Sequence, residues 1–87
     1  MLFGMDVKAR RTDRFAKQLY EAPLRVQKDF EKQLGFLLRD SRHRSLRTKK
    51  IDETEGIFQA RVNKNWRFYY LVEGDSYILL SIIPHPK

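Results

Sequence analysis

Residues 56–72 constrain the fold more than any other part of the chain. Their sequence, GIFQARVNKNWRFYYLV, contains two runs of alternating side chains on either side of a polar turn at residues 63–65. Alternation with a period of two is typical of β-strands, so we predict a β-hairpin. A three-residue loop pairs Val62 with Trp66, and this register places the large apolar side chains of both strands on one face.

The same register places Arg61 directly opposite Arg67 on the other face. Like charges in opposite positions destabilise a sheet, and a bound polyanion would relieve the repulsion. The alternative is that both are solvated arginines on an open sheet face, where exposed Arg is common. Tyr69 shares this face, where it either stacks on a nucleobase or is an exposed tyrosine without a function.

The composition indicates one small basic domain, residues 1–87. Hydrophobic residues make up 41% and charged residues 33%, so a modest core can form. The chain has no cysteine, which excludes disulfides and the usual zinc-finger ligands. The net charge of +7 predicts a partner that carries phosphate or acidic groups, although charge can also serve solubility alone.

No segment of the sequence predicts a membrane protein. The longest apolar run, residues 77–84, is too short to cross a bilayer. The N-terminal residues lack the features of a signal peptide. We therefore expect a cytoplasmic protein without a membrane partner.

The predicted elements follow the order β, α, α and then three antiparallel strands. They are a short edge strand at 5–8, a helix from Thr12 or Asp13 to about Tyr20, a helix at 23–39, the central hairpin, and a strand at 77–83 in the middle of the sheet. This order predicts an α+β fold, in which an N-terminal strand and a helical hairpin accompany a three- to four-stranded, mainly antiparallel sheet. The two helices cover one face of that sheet.

The second helix carries an apolar stripe at helical spacing, which should pack on the apolar face of the hairpin and last strand. The stripe consists of Val26, Phe30, Leu34, Leu37 and Leu38. The sheet face that receives it carries Phe58, Phe68, Tyr70 and Leu79.

Residues 40–55 show no sustained periodicity and are predicted to form a basic loop, with Leu46 and Ile51 fixing it to the core. Such a segment is either a phosphate-facing patch or a solvated loop. Its basic residues are Arg42, His43, Arg44, Arg47, Lys49 and Lys50.

Several signatures of other chemistries are missing. The sequence has no Gly-rich phosphate loop, no HExxH motif, and no Ser-His-Asp or Cys-His arrangement. Because His43 and His85 are its two histidines, we expect no metal site and no small-molecule cofactor.

The ordered set of segments resembles the RelE/ParE toxin superfamily. After the helix pair come SLRTKKI at 45–51, GIFQARV at 56–62 and NWRFYY at 65–70, then an apolar strand followed by a histidine. RelE-like members cleave mRNA on the ribosome without a metal, whereas ParE-like members poison DNA gyrase. The resemblance implies the toxin of a type II toxin–antitoxin system, a metal-free endoribonuclease that acts on mRNA in the ribosomal A site. The alternatives are a ParE-like gyrase inhibitor and a module that only binds its antitoxin.

The resemblance also implies partners and site residues. The partners are a cognate antitoxin protein, mRNA and the ribosome. The catalytic residues implied are Arg61, Arg67, His85, Lys49 and Lys50. The RNA-binding residues implied are Arg44, Arg47, Lys64 and Tyr69.

Metal-free RNA cleavage requires three tasks, and the implied residues fit them. The arginines neutralise the phosphorane, the histidine protonates the leaving 5′-oxygen, and Lys49 or Lys50 deprotonates the 2′-hydroxyl. The chain departs from the family pattern because no acidic base is evident, unless Glu53 or Glu55 folds back. Strict alternation also places position 85 on the core-facing side, so we expect a bulge or turn at Pro84.

Overall fold

The structure is a computed structural model that describes residues 8–85. Two helices and one short 3₁₀ helix accompany five strands within this range. They are β1 (Lys8–Arg11), α1 (Asp13–Glu21), α2 (Leu24–Arg39), the 3₁₀ helix (Arg44–Leu46), β2 (Lys49–Asp52), β3 (Ile57–Arg61), β4 (Trp66–Glu73) and β5 (Ser76–Pro84). No helix of this part of the chain is long and apolar enough to cross a membrane.

The strands form one sheet in the order β1-β5-β4-β3-β2. Strand β1 pairs with β5 in parallel, and the other neighbours are antiparallel. The α+β fold class is therefore confirmed, with β5 in the sheet interior as predicted. The predicted edge strand at 5–8 lies outside the described residues except for Lys8, where β1 begins.

The sheet has one strand more than the sequence predicted, because β2 forms within the segment interpreted as a loop. Its backbone pairs with β3 at Lys49↔Gln59 and Lys50↔Phe58. An edge strand with both faces partly solvated needs no alternation of apolar residues, so periodicity did not reveal it. Leu46 is fully buried as predicted, but Ile51 is 47% exposed and does not fix the segment to the core.

The central hairpin has the predicted register. Arg61 pairs with Arg67 and Phe58 pairs with Tyr70. The backbone N–H of Val62 donates to the carbonyl oxygen of Trp66 at 3.0 Å. Ala60, Phe68 and Tyr70 therefore share the face that the helices cover, and all three are buried.

The helices begin where the sequence indicates. Thr12 caps α1, because its hydroxyl accepts from the N–H of Phe15 at 3.1 Å, and the same hydroxyl donates to the carbonyl of Leu79 at 2.9 Å. The ring of Phe30 on α2 lies 5.0 Å from that of Phe15 and 5.2 Å from that of Phe68, centre to centre. These three buried rings join both helices to the sheet, as the predicted stripe requires.

Strand β5 contains a bulge that corrects the prediction for the C-terminus. Tyr69 pairs with Ser81 but Tyr70 pairs with Leu79, so Leu80 is an extra residue. The bulge therefore lies at Leu80 and not at Pro84. Beyond it the alternation is reversed, and Ile83 pairs with Arg67 on the open face.

Truncating Phe30 to Ala should lower the free energy of unfolding by about 3–5 kcal/mol, because the change leaves a cavity among buried rings. Chemical denaturation measures this difference. Leu24 lies on the same helix but is 73% exposed, so Leu24→Ala is the matched control and should change stability by less than about 0.5 kcal/mol. Equal effects of the two substitutions would contradict the packing described here.

Candidate functional site

Arg67 is anchored to the β3–β4 loop through one nitrogen of its guanidinium. Its Nη1 donates to the carbonyl oxygens of Asn63 at 2.8 Å and of Trp66 at 2.9 Å. Its Nε and Nη2 have no acceptor among residues 8–85. Nη1 thus donates to backbone carbonyls of the protein, while Nε and Nη2 remain as a pair of donors that can bind phosphate in a bidentate manner.

The charges around Arg67 repel one another. Burial lowers the pKa of Arg67, and the neighbouring charges of Arg61 and Arg47 lower it further, while Tyr69 acts in the opposite direction. The guanidinium still stays protonated at neutral pH, since an arginine is not deprotonated in proteins. The charge of Arg67 is therefore destabilised by two neighbouring guanidinium groups, and an anion bound beside it would be stabilised.

Asn63 fixes the shape of the loop that holds Arg67. Its Oδ1 accepts from the backbone N–H groups of Asn65 at 2.9 Å and Trp66 at 3.0 Å, which is the pattern of an Asx turn. Its Nδ2 donates to Oδ2 of Asp29 on α2 at 2.8 Å. Sequence reasoning treated residues 63–65 as a generic turn and missed this role, although Asn in a short hairpin loop was the available signal.

The predicted catalytic histidine lies at the same end of the sheet. The backbone N–H of His85 donates to the carbonyl oxygen of Asn65 at 2.7 Å, and the side chain is exposed. The alternation of β5 beyond Leu80 places position 85 on the side of Ile83 and Arg67. The structure therefore brings His85 to the loop that anchors Arg67.

The two predicted lysines lie on opposite faces of β2. Lys49 pairs with Gln59, whose Oε1 accepts from the hydroxyl of Tyr69 at 3.1 Å, so Lys49 shares the arginine face. Lys50 instead points to the other side, with Nζ 5.4 Å from the centre of the Phe58 ring. The prediction that groups Lys50 with the arginines is corrected, because adjacent residues of a strand face opposite ways.

Neither Glu53 nor Glu55 folds back onto the arginine pair as an acidic base. Glu53 approaches Lys50 instead, with 3.8 Å between Oε1 and Nζ. Glu55 is exposed, and its backbone N–H donates to Oδ1 of Asp52 at 3.1 Å. Asp29 is the carboxylate that the structure connects to the site, through Asn63.

The 3₁₀ helix places Arg44 and Arg47 beside β3. Nδ1 of His43 accepts from the N–H of Ser45 at 3.2 Å, and the His43 ring stacks on Phe36 with 3.9 Å between ring centres. Arg47 ends the 3₁₀ helix in the left-handed region, at φ 47°. This conformation is strained for a residue other than glycine, and the Arg47 side chain lines a groove together with Arg61 and Asn63.

Gln33 of α2 joins the 3₁₀ helix to the end of β3. It is 5% exposed, and its Nε2 donates to the carbonyl oxygens of Ser45 at 3.0 Å and Arg61 at 2.8 Å. The predicted stripe skipped Gln33 because it is polar. A polar residue within an apolar stripe was the signal that could have identified it.

The predicted RNA-binding residues divide between two surfaces. Arg44, Arg47 and Lys64 line a groove between α2, the 3₁₀ helix and the β3–β4 loop. Tyr69 lies on the open face, in a shallow pocket of about 300 Å³ that is mostly apolar. The other residues of this pocket are Arg14, Ile51, Ile57, Leu80, Ser81 and Ile83. No three His, Asp or Glu residues in the described range are grouped so as to hold a metal ion.

Comparisons with known proteins identify the fold. The RelE–RelB complex from Pyrococcus horikoshii OT3 matches with a TM-score of 0.75 and 19% identity, over 92% of this chain and 96% of that chain. The RelBE2 toxin–antitoxin complex from Mycobacterium tuberculosis matches with a TM-score of 0.72 and 22% identity, over 93% of this chain and 100% of that chain. The YoeB/ParE toxin from Agrobacterium tumefaciens matches with a TM-score of 0.75 and 14% identity, over 91% of this chain and 99% of that chain.

No family model and no curated protein sequence matches the chain. At identities below 25% the structural matches establish the fold. The chain has the fold of RelE/ParE-type toxins, which confirms at this level the resemblance in its sequence.

Replacing Arg47 with Gly should leave the free energy of unfolding unchanged or raise it by up to about 1 kcal/mol. A left-handed conformation costs a non-glycine residue about 1–2 kcal/mol, which exceeds the entropic cost of glycine. Denaturant titration measures the change. Arg47→Val also removes the charge but is β-branched, so it should destabilise; if both variants lose equal stability, strain at this position is not the cause.

Proposed function

We propose that the protein is the toxin of a toxin–antitoxin system and acts as a metal-free endoribonuclease on mRNA in the ribosomal A site. The observation that carries the proposal is the Arg61–Arg67 pair, in which Arg67 is held through Nη1 and keeps Nε and Nη2 for a ligand. The fold supports it, since solved proteins of this shape include RelE and YafQ toxins.

The arginine pair suits the charge that develops during RNA cleavage. Attack of the 2′-oxygen on phosphorus forms a phosphorane whose non-bridging oxygens gain negative charge. The Arg67 guanidinium, already held by the loop carbonyls, and that of Arg61 on the neighbouring strand can stabilise that charge, and preorganised positive charge needs little rearrangement at the transition state. Their mutual repulsion in the free protein becomes attraction to a shared anion.

Two further groups fit the proton transfers. We assign His85 to protonate the departing 5′-oxygen, because it follows β5 at the end where Arg67 lies and a protonated imidazole can donate a proton to a leaving group. We assign Lys49, in its neutral form, to accept the 2′-hydroxyl proton, since it shares the arginine face and Lys50 does not.

The same face suits an antitoxin. The structural neighbours include complexes named RelB–RelE and DinJ–YafQ. On this chain the mostly apolar pocket around Ile57 and Leu80 lies beside the basic end of the hairpin. An amphipathic segment with acidic side chains complements both parts, so we propose that a cognate antitoxin of this kind covers the open face.

A second candidate function is inhibition of DNA gyrase in the manner of ParE-like toxins. It is favoured because the described part of the chain holds no carboxylate against Arg61 or Arg67 that could serve as the general base of a nuclease. In that case the arginine face binds gyrase and has no nuclease activity.

Arg67→Ala should lower the rate of mRNA cleavage roughly 100- to 1,000-fold, by analogy with the loss of one oxyanion donor. The variant should remain folded, because the substitution removes a charge repulsion. Circular dichroism tests folding, and mapping of mRNA 5′ ends after induction tests cleavage. Lys28→Ala on the exposed side of α2 is the matched control and should cut normally.

Two outcomes would contradict this assignment. A folded Arg67→Ala protein that cuts mRNA at the normal rate would remove the arginine from the reaction. Intact mRNA together with broken DNA after induction of the unaltered protein would favour gyrase poisoning instead.

The antitoxin complex should weaken several-fold when salt rises from about 0.1 M to about 1 M, because the Debye length falls from about 10 Å to about 3 Å. Titration calorimetry at both concentrations measures the Kd. Ile57→Ser should weaken the complex at both concentrations without changing its salt dependence, since apolar burial is not screened. A Kd that is independent of salt would show that the basic end of the hairpin takes no part.

A further inference from the structure

A strongly basic groove lies beside the hairpin. It has a volume of about 460 Å³ and lies between α2, the 3₁₀ helix and the β3–β4 loop. Its basic residues are Arg25, Lys32, Arg44, Arg47, Arg61 and Lys64. Asp29 is the one acidic residue of its lining, and it is already engaged by Asn63 and by Arg25. The groove therefore has a large excess of positive charge.

The walls of this groove are held in place by buried hydrogen bonds. The Gln33 amide ties α2 both to Ser45 of the 3₁₀ helix and to Arg61 at the end of β3. The bond from Asn63 to Asp29 ties α2 to the loop on the other side. Because these partners come from three separate elements, the cavity is a preformed feature of the fold and not a gap between mobile side chains.

The groove is continuous with the proposed catalytic face. Arg61 belongs to both, since its carbonyl accepts from Gln33 and its position is directly opposite Arg67. Arg47 also lines the groove and is close enough to Arg67 for their charges to interact. A polyanion bound at Arg67 can therefore extend into the groove without leaving a positive surface.

The chemistry of the lining favours phosphates over an acidic peptide. Val62 is the one apolar residue that lines the groove, whereas protein partners are anchored mainly by side chains in apolar pockets. Four of the six basic residues are arginines, whose forked donors match phosphate oxygens. The apolar pocket of the open face has the opposite character and suits a protein segment.

We propose that this groove is a second phosphate subsite, which holds the backbone of the same RNA strand at a nucleotide away from the scissile bond. The proposal rests on the proposed function for the identity of the strand. It adds that the groove residues other than Arg61 bind the strand without acting on the scissile bond, so substitutions of those residues should affect affinity and leave the reacting groups intact.

Binding of a 12-nucleotide single-stranded DNA tests the subsite without any cleavage, because DNA lacks the 2′-hydroxyl. For single strands the slope of log affinity against log salt is about −0.7 per phosphate contact. Lys32→Ala/Arg44→Ala should therefore make the slope about 1.4 less steep and weaken binding at low salt. The matched control is Lys17→Ala/Lys28→Ala, which removes the same charge from exposed helix positions outside the groove and should leave the slope unchanged.

Nuclear magnetic resonance locates the ligand directly. The side-chain amide of Gln33 reports on the groove, and that of Gln59 reports on the open face, where it lies against Tyr69. Inorganic pyrophosphate, added at constant ionic strength, should shift the Gln33 signal, and Lys32→Ala/Arg44→Ala should abolish that shift. A shift confined to Gln59 would overturn the proposal.

The remaining outcomes separate this proposal from the nuclease. An unchanged salt slope in Lys32→Ala/Arg44→Ala overturns the subsite, even if the protein cuts mRNA. If the double variant has the less steep salt slope but the unaltered protein cuts no mRNA, the subsite is supported and the nuclease is refuted. A 12-residue polyglutamate peptide can be compared with the DNA. If the double variant binds the peptide more weakly but binds the DNA normally, the groove takes an acidic protein segment and the phosphate subsite is overturned.

Discussion

The hydrogen bonds of the Asn63 side chain are the interactions on which the rest of the site depends. They close the β3–β4 loop from inside, and the bond to Asp29 fixes that loop to α2. The loop carbonyls then orient Arg67 on one side and hold the backbone of His85 on the other. The Asn63 side chain thus links α2 to the loop whose carbonyl oxygens contact Arg67 and His85.

The cluster of arginines is electrostatically unfavourable in the free protein. Arg61 and Arg67 are paired across two strands, and Arg47 adds a third charge from a strained backbone position. Neutral groups support the pair: the loop carbonyls bind the Arg67 guanidinium, and the Gln33 amide binds the backbone carbonyl of Arg61. Because the carbonyls that hold Arg67 are dipoles and not carboxylates, they position its guanidinium without neutralising it, and the charge remains for a ligand.

The sequence predicted those parts of the fold that follow from burial. Only one strand register buries the large side chains around Phe68, and only one orientation of the second helix buries the stripe around Phe30. The sequence therefore determined both the register and the packing. Strand β2, and with it the placement of Lys49 and Lys50 on opposite faces, was not predicted, because backbone pairing at a solvated edge leaves no hydrophobic pattern in the sequence. Gln33 and Asn63 also bind partners distant in sequence, namely the carbonyls of Ser45 and Arg61 and the carboxylate of Asp29, and such partners are known only once the chain is folded.

The bulge at Leu80 affects how chains of this fold can be compared. Because β5 contains one extra residue, every residue after Leu80 lies on the opposite face from the one that simple alternation predicts. The face that a C-terminal residue occupies therefore depends on how many residues precede it in the strand and not on its type. An alignment that moves a gap by one position within 76–84 would equate residues from opposite faces. A histidine matched to position 85 by sequence alone could therefore belong to the helix-covered side of its own protein, and equivalence at this end of the chain has to be read from strand pairing.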